Sequence, residues 1–259
     1  MRYLKYYPIN ENKMWYKTIP EILNWIKSKS DKYFVLLDTE TTGLPSDKHE
    51  IQLTQISAIV TKYDFNSNTF KEIDSYNKKI KLTDASLKST KDPSSRIKKV
   101  LSFNRYGQSG IKYHEEKESL QDFHTWLNQY DNPMLVIQNA QFDMRYLNTR
   151  GSAKFENEVL DTKMIIQLYY LPLLQKLAET DPKYKDMIIK IGTSDRDNGL
   201  ISSSMSKIGP ALGLNMGGYH DALVDVKITI EMMRKIIEFL KQHQNVDISK
   251  YQSERIKVI

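Results

Sequence analysis

The sequence predicts an α/β fold: a mixed β-sheet, antiparallel meander plus parallel strands, with helices on its faces. Three observations predict it. An apolar, β-favouring run at residues 33–37 is followed by two more strand-like runs; twice later a short apolar run passes directly into a helical pattern; and a long amphipathic helix follows them. With 259 residues the chain is long enough to bury a real core without disulfide staples.

Each element has its own justification. Ile19, Ile22, Leu23 and Ile26 recur at helical spacing around Pro20, a residue suited to a helix start, so an aromatic and basic arm followed by a helix is expected over residues 1–30. "YFVLL" is a buried strand. "IQLTQISAIV" alternates imperfectly, as a half-buried strand would, and "TFKEIDSYNKKI" continues the sheet. Gly43 and Pro45 suit the turn after the first strand, which should be central. Residues 83–118, rich in Lys, Arg and Ser, predict an exposed basic insertion. Leu120, Phe123, Trp126 and Leu127 then share one helix face. "PMLVIQNAQFDMRYL" and "EVLDTKMIIQLYYLPLL" each take a strand into a helix, residues 192–198 mark a loop, and "SSSMSKIGPALGL" predicts a short helix bounded near Pro210. Asp221 can cap the last helix, whose stripe runs Leu223, Val226, Ile230, Met233, Ile237 and Leu240. The domain should end near residue 243, leaving residues 244–259 as a C-terminal tail.

Composition excludes several chemistries. There is no cysteine, which rules out disulfides, zinc–thiolate sites and thiol nucleophiles and suits the cytoplasm. No segment reads as a signal peptide or a membrane span. A formal net charge of +6 favours anionic partners, although a lysine-rich surface can be a solvated one. No Walker A loop and no G-x-S-x-G elbow are present, and the glycines at 209–218 do not follow a strand-to-helix pattern.

Carboxylates return at three places. In "FVLLDTETTG", Asp38 and Glu40 are two residues apart on a strand and so point to one face. They read either as turn and capping residues or as oxygen ligands for a hard divalent ion such as Mg²⁺ or Mn²⁺. In "NAQFD", Asn139 and Asp143 follow a strand, where an ordinary helix start with Asn139 as cap is the plainer alternative. In "YHDALVDV", His220 lies five residues before Asp225, and a solvated helix start would explain it equally.

Taken together the three resemble the motifs of the DEDD superfamily of DnaQ-like 3'-5' exonucleases: D-x-E-T-T-G at 38–43, N-x-x-F-D at 139–143 and H-x-A-x-x-D at 220–225. "VLDT" at 159–162 and "ALGL" at 211–214 are similar to its connecting segments, so the resemblance covers about residues 33–240. A histidine five residues before the last aspartate, despite the neighbouring Tyr219, marks the DEDDh branch.

The resemblance implies an RNase H-like fold, helices on both faces of the sheet, and hydrolysis of phosphodiester bonds from a 3' end with release of nucleoside 5'-monophosphates. It implies two divalent metal ions, Mg²⁺ or Mn²⁺, with Asp38 bridging them, Glu40 and Asp225 on the nucleophile side, and Asp143 on the other, partly through water. His220 would be the general base, on a loop that Gly217 and Gly218 leave mobile. Thr41, Thr42 and Leu44 would meet the terminal nucleotide, with Asn139 and Phe142 also in the substrate-binding set, although Phe142 suits the core as well. His49, His114, His124 and His243 show no ligand spacing. The partner implied is nucleic acid with a free 3' end, single-stranded DNA first and RNA as the alternative. A non-catalytic binding module on the same fold is a further alternative, and no polymerase or other protein partner is legible. Lys88, Lys91, Arg96, Lys98, Lys99 and Arg105, interleaved with Phe103 and Tyr106, form either a solvated loop or an arm that guides substrate.

Overall fold

The computed structural model describes residues 18–44, 51–89, 91, 97–104, 106–151, 154–194 and 199–256. The leading arm, Pro45, His49, Arg96, Arg105 and the side chain of Phe103 lie outside this description.

The chain enters through α1 (Ile19–Lys27), which starts at a capping box: Glu21 N donates to Thr18 Oγ1, and Thr18 N donates back to the Glu21 carboxylate at 2.9 Å. Its four expected apolar residues are all buried. Three long strands follow as a meander, β1 (Tyr33–Thr41), β2 (Leu53–Asp64) and β3 (Thr69–Ile80). The insertion contains α2 (Asp84–Ser89), α3 (Ile97–Phe103) and the two-residue β4 (Tyr113–His114). Then come α4 (Glu116–Leu127), β5 (Met134–Ile137), α5 (Ala140–Arg150) and β6 (Val159–Asp161). A continuous helical rod follows, α6 (Thr162–Ile165), a π-helical stretch (Ile166–Tyr170) and α7 (Leu171–Leu177). The chain continues through α8 (Pro182–Ile191), α9 (Met205–Ala211), α10 (Ala222–Gln242) and α11 (Ser249–Ile256).

The six strands lie in the order β4-β3-β2-β1-β5-β6. The β1–β2 and β2–β3 pairs are antiparallel, whereas β5 runs parallel to both β1 and β6. β1 is therefore central, as expected.

Alternation along β1 feeds two cores. Phe34 and Leu36 pack on one face with Val226, Met233 and Ile237 of α10. Val35 and Leu37 pack on the other with Phe123 of α4 and Met144 and Leu147 of α5. Burying each such side chain contributes about 1.5–3 kcal/mol, so both faces are firmly covered.

The structure corrects four sequence expectations. β2 is buried on both faces from Leu53 to Thr61 rather than half-buried, because β1 and β3 flank it and helices cover both of its sides. The insertion is more than an exposed loop: Leu82, Ile97 and Leu101 form a small core of their own with Tyr106 against it, and β4 extends the sheet beside β3. The segment read as a tail carries α11, where Gln252 Nε2 donates to Leu168 O and Arg255 is 2% exposed. α8 was not expected at all, although Asp181, whose side chain accepts from Lys183 N, and Pro182 are a legible helix start. Among the described residues no helix is long and apolar enough to cross a membrane.

Candidate active site

The site grows from the strand ends. The alternation that buries Phe34 and Leu36 sends Asp38 and Glu40 to the same face at the C-terminal end of β1, where they are half-buried. The β1–β2 register slips between Glu40 and Thr41, a bulge that ends regular pairing beside the two carboxylates. α10 packs on this face and starts here, so Asp225 in its first turn is delivered to the same point, 4% exposed.

Asp143 arrives from α5 on the opposite side of the sheet. It is 2% exposed, and its Oδ1 accepts from Thr39 N at 2.8 Å and Thr39 Oγ1 at 2.7 Å. Thr39, between the two β1 carboxylates, thus fixes the third.

His220 sits in the turn before α10 with φ of 72°, a left-handed conformation rare for a residue with a side chain. Its N–H donates to both Asp225 carboxylate oxygens at 3.3 Å, and its ring lies 4.1 Å from that of Tyr219, tilted by 38°. One potential ligand atom from each of Glu40, His220 and Asp225 lies within 4.8 Å of the others. Asp38, Glu40, Asp143, His220 and Asp225 all line one cleft of about 270 Å³.

Burial is costly for this many anions. Asp38 is pushed well above the usual carboxylate range by burial first, then by Asp143, Glu40 and Asp225. Glu40 rises for the same reasons, with Asp225 its strongest charged neighbour. Burial raises Asp143 to about 7 against the two Thr39 hydrogen bonds, and Asp225 to about 7 against the His220 N–H. His220 is lowered by burial, which favours its neutral form.

The expected substrate-binding residues divide. Phe142 lines the cleft and packs edge-on against Tyr146. Asn139 also lines it, but it is not the side-chain cap that its position suggests: φ is 67°, and Asp161 instead accepts from Asn139 N and Ala140 N at 3.0 Å each. A side chain from the next strand thus does the capping. Thr41 and Thr42 are buried with their hydroxyls turned inward, Thr41 Oγ1 donating to Gly43 O and Thr42 Oγ1 accepting from Gln52 N. Leu44 follows them, half-buried at the edge of the described segment.

Sequence reasoning missed part of the wall. Lys163, Gln138, Ser203, Ser204 and Tyr219 line the cleft. Tyr219 keeps its phenolic proton, because burial and then the Asp225, Asp38 and Glu40 charges raise its pKa. Lys163 had a signal, since it directly follows "VLDT", and its Nζ lies 3.5 Å from Asn139 Oδ1. The serines carried none beyond their place in a polar run. The histidines outside the motif, where described, do not line the cleft.

No family model matches the chain, and no curated protein matches it. The fold is similar to that of E. coli exonuclease I in complex with a dA16 oligonucleotide, with a TM-score of 0.53 and 19% identity, covering 85% of this chain and 43% of that one. The zinc-bound E. coli exonuclease I complex with single-stranded DNA gives a TM-score of 0.54 and 17% identity, covering 82% and 42%. This chain therefore spans less than half the length of those proteins. A six-stranded mixed sheet with helices on both faces, shared with those structures, identifies the fold as RNase H-like.

Proposed function

We propose that this protein is a metal-dependent 3'-5' exonuclease of the DEDDh type, releasing nucleoside 5'-monophosphates from single-stranded DNA. The observation that carries the reading is the convergence of Asp38, Glu40, Asp143, Asp225 and His220, from three separate stretches of sequence, on one cleft at the strand ends. An open α/β sheet offers its binding crevice at such strand ends. The exonuclease I structures with the same fold carry single-stranded DNA, which supports the substrate class.

The donor set fits hard divalent cations. Four carboxylates supply only oxygen, no thiolate competes, and the charges that raise one another's pKa values need a counter-charge to stay ionised together. Asp38, Glu40, Asp143 and Asp225 would hold two ions, Mg²⁺ or Mn²⁺, which when bound acidify the attacking water and stabilise the departing 3' oxygen.

The chain's own groups do the rest. A ring nitrogen of His220, kept unprotonated by burial, accepts the proton of the attacking water. As water adds to phosphorus, the bond to the 3' oxygen of the preceding nucleotide breaks; that oxygen takes a proton from solvent water, leaving a 3'-hydroxyl on the shortened strand and a free 5'-monophosphate. Thr39 holds Asp143 through two hydrogen bonds, and Lys163, which lines the cleft, offers a positive charge to the phosphate backbone.

The test follows 5'-end-labelled DNA and RNA oligomers of one sequence with Mg²⁺ or Mn²⁺, against EDTA and Asp38→Ala. A metal-dependent ladder shortening from the 3' end, absent in the variant, is expected, faster on DNA. Binding without cleavage of either strand would overturn the enzyme reading in favour of a binding module.

A further inference from the structure

Next to the site carboxylates lies a part-buried polar network whose charges reach them, Lys79 lowering the Glu40 pKa and Asp221 raising those of Asp38, Glu40 and Asp225. Lys79, near the end of β3, has a side chain only 11% exposed, and its Nζ is 2.9 Å from Asp221 Oδ2, with Asp221 21% exposed. Lys79 Nζ also donates to Gln55 Oε1 at 3.1 Å and to Asn104 O at 3.4 Å. Gln55 completes the clamp: its Nε2 donates to Asp221 Oδ1 at 3.2 Å and its Oε1 accepts from Ala222 N at 3.2 Å.

Asp221 is the residue after His220 and the N-cap of α10, accepting from Leu223 N. Both of its carboxylate oxygens are therefore held, one by Lys79 and one by Gln55 and the helix. Asn104, from the insertion, ties the network to the other side of the site. Its Nδ2 donates to Thr41 O at 3.0 Å and to Thr54 Oγ1 at 3.2 Å, at the bulge that follows Glu40. The insertion thus satisfies a backbone group that the broken ladder leaves at the bulge.

We propose that Lys79 is a positioning residue for His220: together with Gln55 and Asn104 it fixes Asp221, and through Asp221 it holds the strained turn that points the histidine at the carboxylates. The proposal rests on the exonuclease reading for its effect on rate, and on geometry alone for its effect on the turn. A left-handed His220 is strained and persists only where its surroundings over-determine it. A part-buried ion pair whose remaining polar atoms are bonded provides that constraint. It also gives part of the insertion a task, since Asn104 braces Lys79 from behind while its side chain secures the Glu40 end of β1.

The experiment measures oligonucleotide cleavage for the wild-type protein, Lys79→Met, Lys79→Arg, Asp221→Asn, His220→Ala and the Lys79→Met/His220→Ala double variant, with amide hydrogen exchange of residues 217–225 alongside. Lys79→Met and Asp221→Asn should each lower kcat by about tenfold or more with KM within about twofold, and Lys79→Arg should recover most of the loss. Asparagine keeps the helix cap, so a loss in Asp221→Asn reports the ion pair. With His220 already removed, Lys79→Met should change kcat by less than about twofold, because interacting residues are not additive. Exchange in the turn should rise by about tenfold or more in Lys79→Met. An equal loss in both backgrounds, or an effect confined to KM, would overturn the proposal. A wild-type protein that cuts neither strand would sink the exonuclease reading instead, and unchanged exchange in Lys79→Met would then overturn the positioning role on its own.

Discussion

The end of β1 and the turn at residues 217–221 deliver side chains to the same cleft by opposite means. β1 is a central strand, paired on both sides and packed on both faces, so Asp38 and Glu40 inherit their positions from the sheet. The turn has no ladder. It depends on Gly218 at φ of 89°, on a left-handed His220, and on an Asp221 gripped from β2 and β3. The strand places charge through its pairing with β2, beyond the end of the β5 ladder at Leu37, and in the proposed reaction the turn supplies a base whose placement rests on a few contacts. Metal holding and proton transfer should therefore fail separately when the two regions are altered.

The largest effects come from the strand. Asp38→Asn should abolish cleavage and weaken Mn²⁺ binding, read by calorimetry, while raising the melting temperature of the metal-free protein, because one of four repelling anions is gone. A metal-free variant no more stable than the wild type would break the view that the cluster is strained without cations. His220→Ala, on the turn, should lower kcat by about 10²–10⁴-fold while leaving Mn²⁺ affinity within about threefold. The proximity of His220 to Glu40 and Asp225 makes this informative, since a large loss of metal affinity would make it a ligand rather than a base.

The pH dependence of stability sharpens the strand side further. Asp143 and Asp225 titrate near 7 in the folded protein, and Asp38 and Glu40 are also raised. Between the unfolded carboxylate range near pH 4 and about 7, the folded state binds more protons than the unfolded one, so stability falls as pH rises. Scanning calorimetry of the metal-free protein should show the melting temperature dropping by on the order of 5 °C from pH 5.5 to 8, and saturating Mn²⁺ should remove most of the drop. A flat metal-free profile would contradict the electrostatic account. The smallest effect is on the turn: in Gly218→Ala the added Cβ would meet Val224 Cγ2 at 3.3 Å with φ already positive, costing on the order of 1–3 kcal/mol. That variant should lower kcat more than metal affinity, and a change in Mn²⁺ binding alone would merge the two regions.

Legibility in the sequence followed the same division. The helices were readable because burial imposes periodicity: α1, α4 and α10 stand where apolar spacing places them, and β1 where a continuous apolar run does. α8 and α11 were missed: α8 buries only Tyr184 and Ile191, and the buried side chains described in α11 are the polar Gln252 and Arg255, so neither buries a continuous apolar stripe. At the site, the five motif residues reach one cleft, as their spacing after strands suggests. The hydrogen-bond partners of Thr41, Thr42 and the Asn139 backbone, namely Gly43, Gln52 and Asp161, were not legible, because folding chooses them.

The sequence by itself determined the strand and helix pattern, the absence of sulfur chemistry, and which carboxylates and histidine are candidates, because local propensity, burial and side-chain type are written residue by residue. Only the tertiary structure decided that Asp143 is fastened by Thr39, that Lys163 and Tyr219 wall the cleft, and that Lys79, Gln55 and Asn104 grip the turn beneath His220. Those pairings join residues from 25 to 167 positions apart, and a hydrogen bond of such range exists only once the sheet and its two cores have brought both partners out of water together.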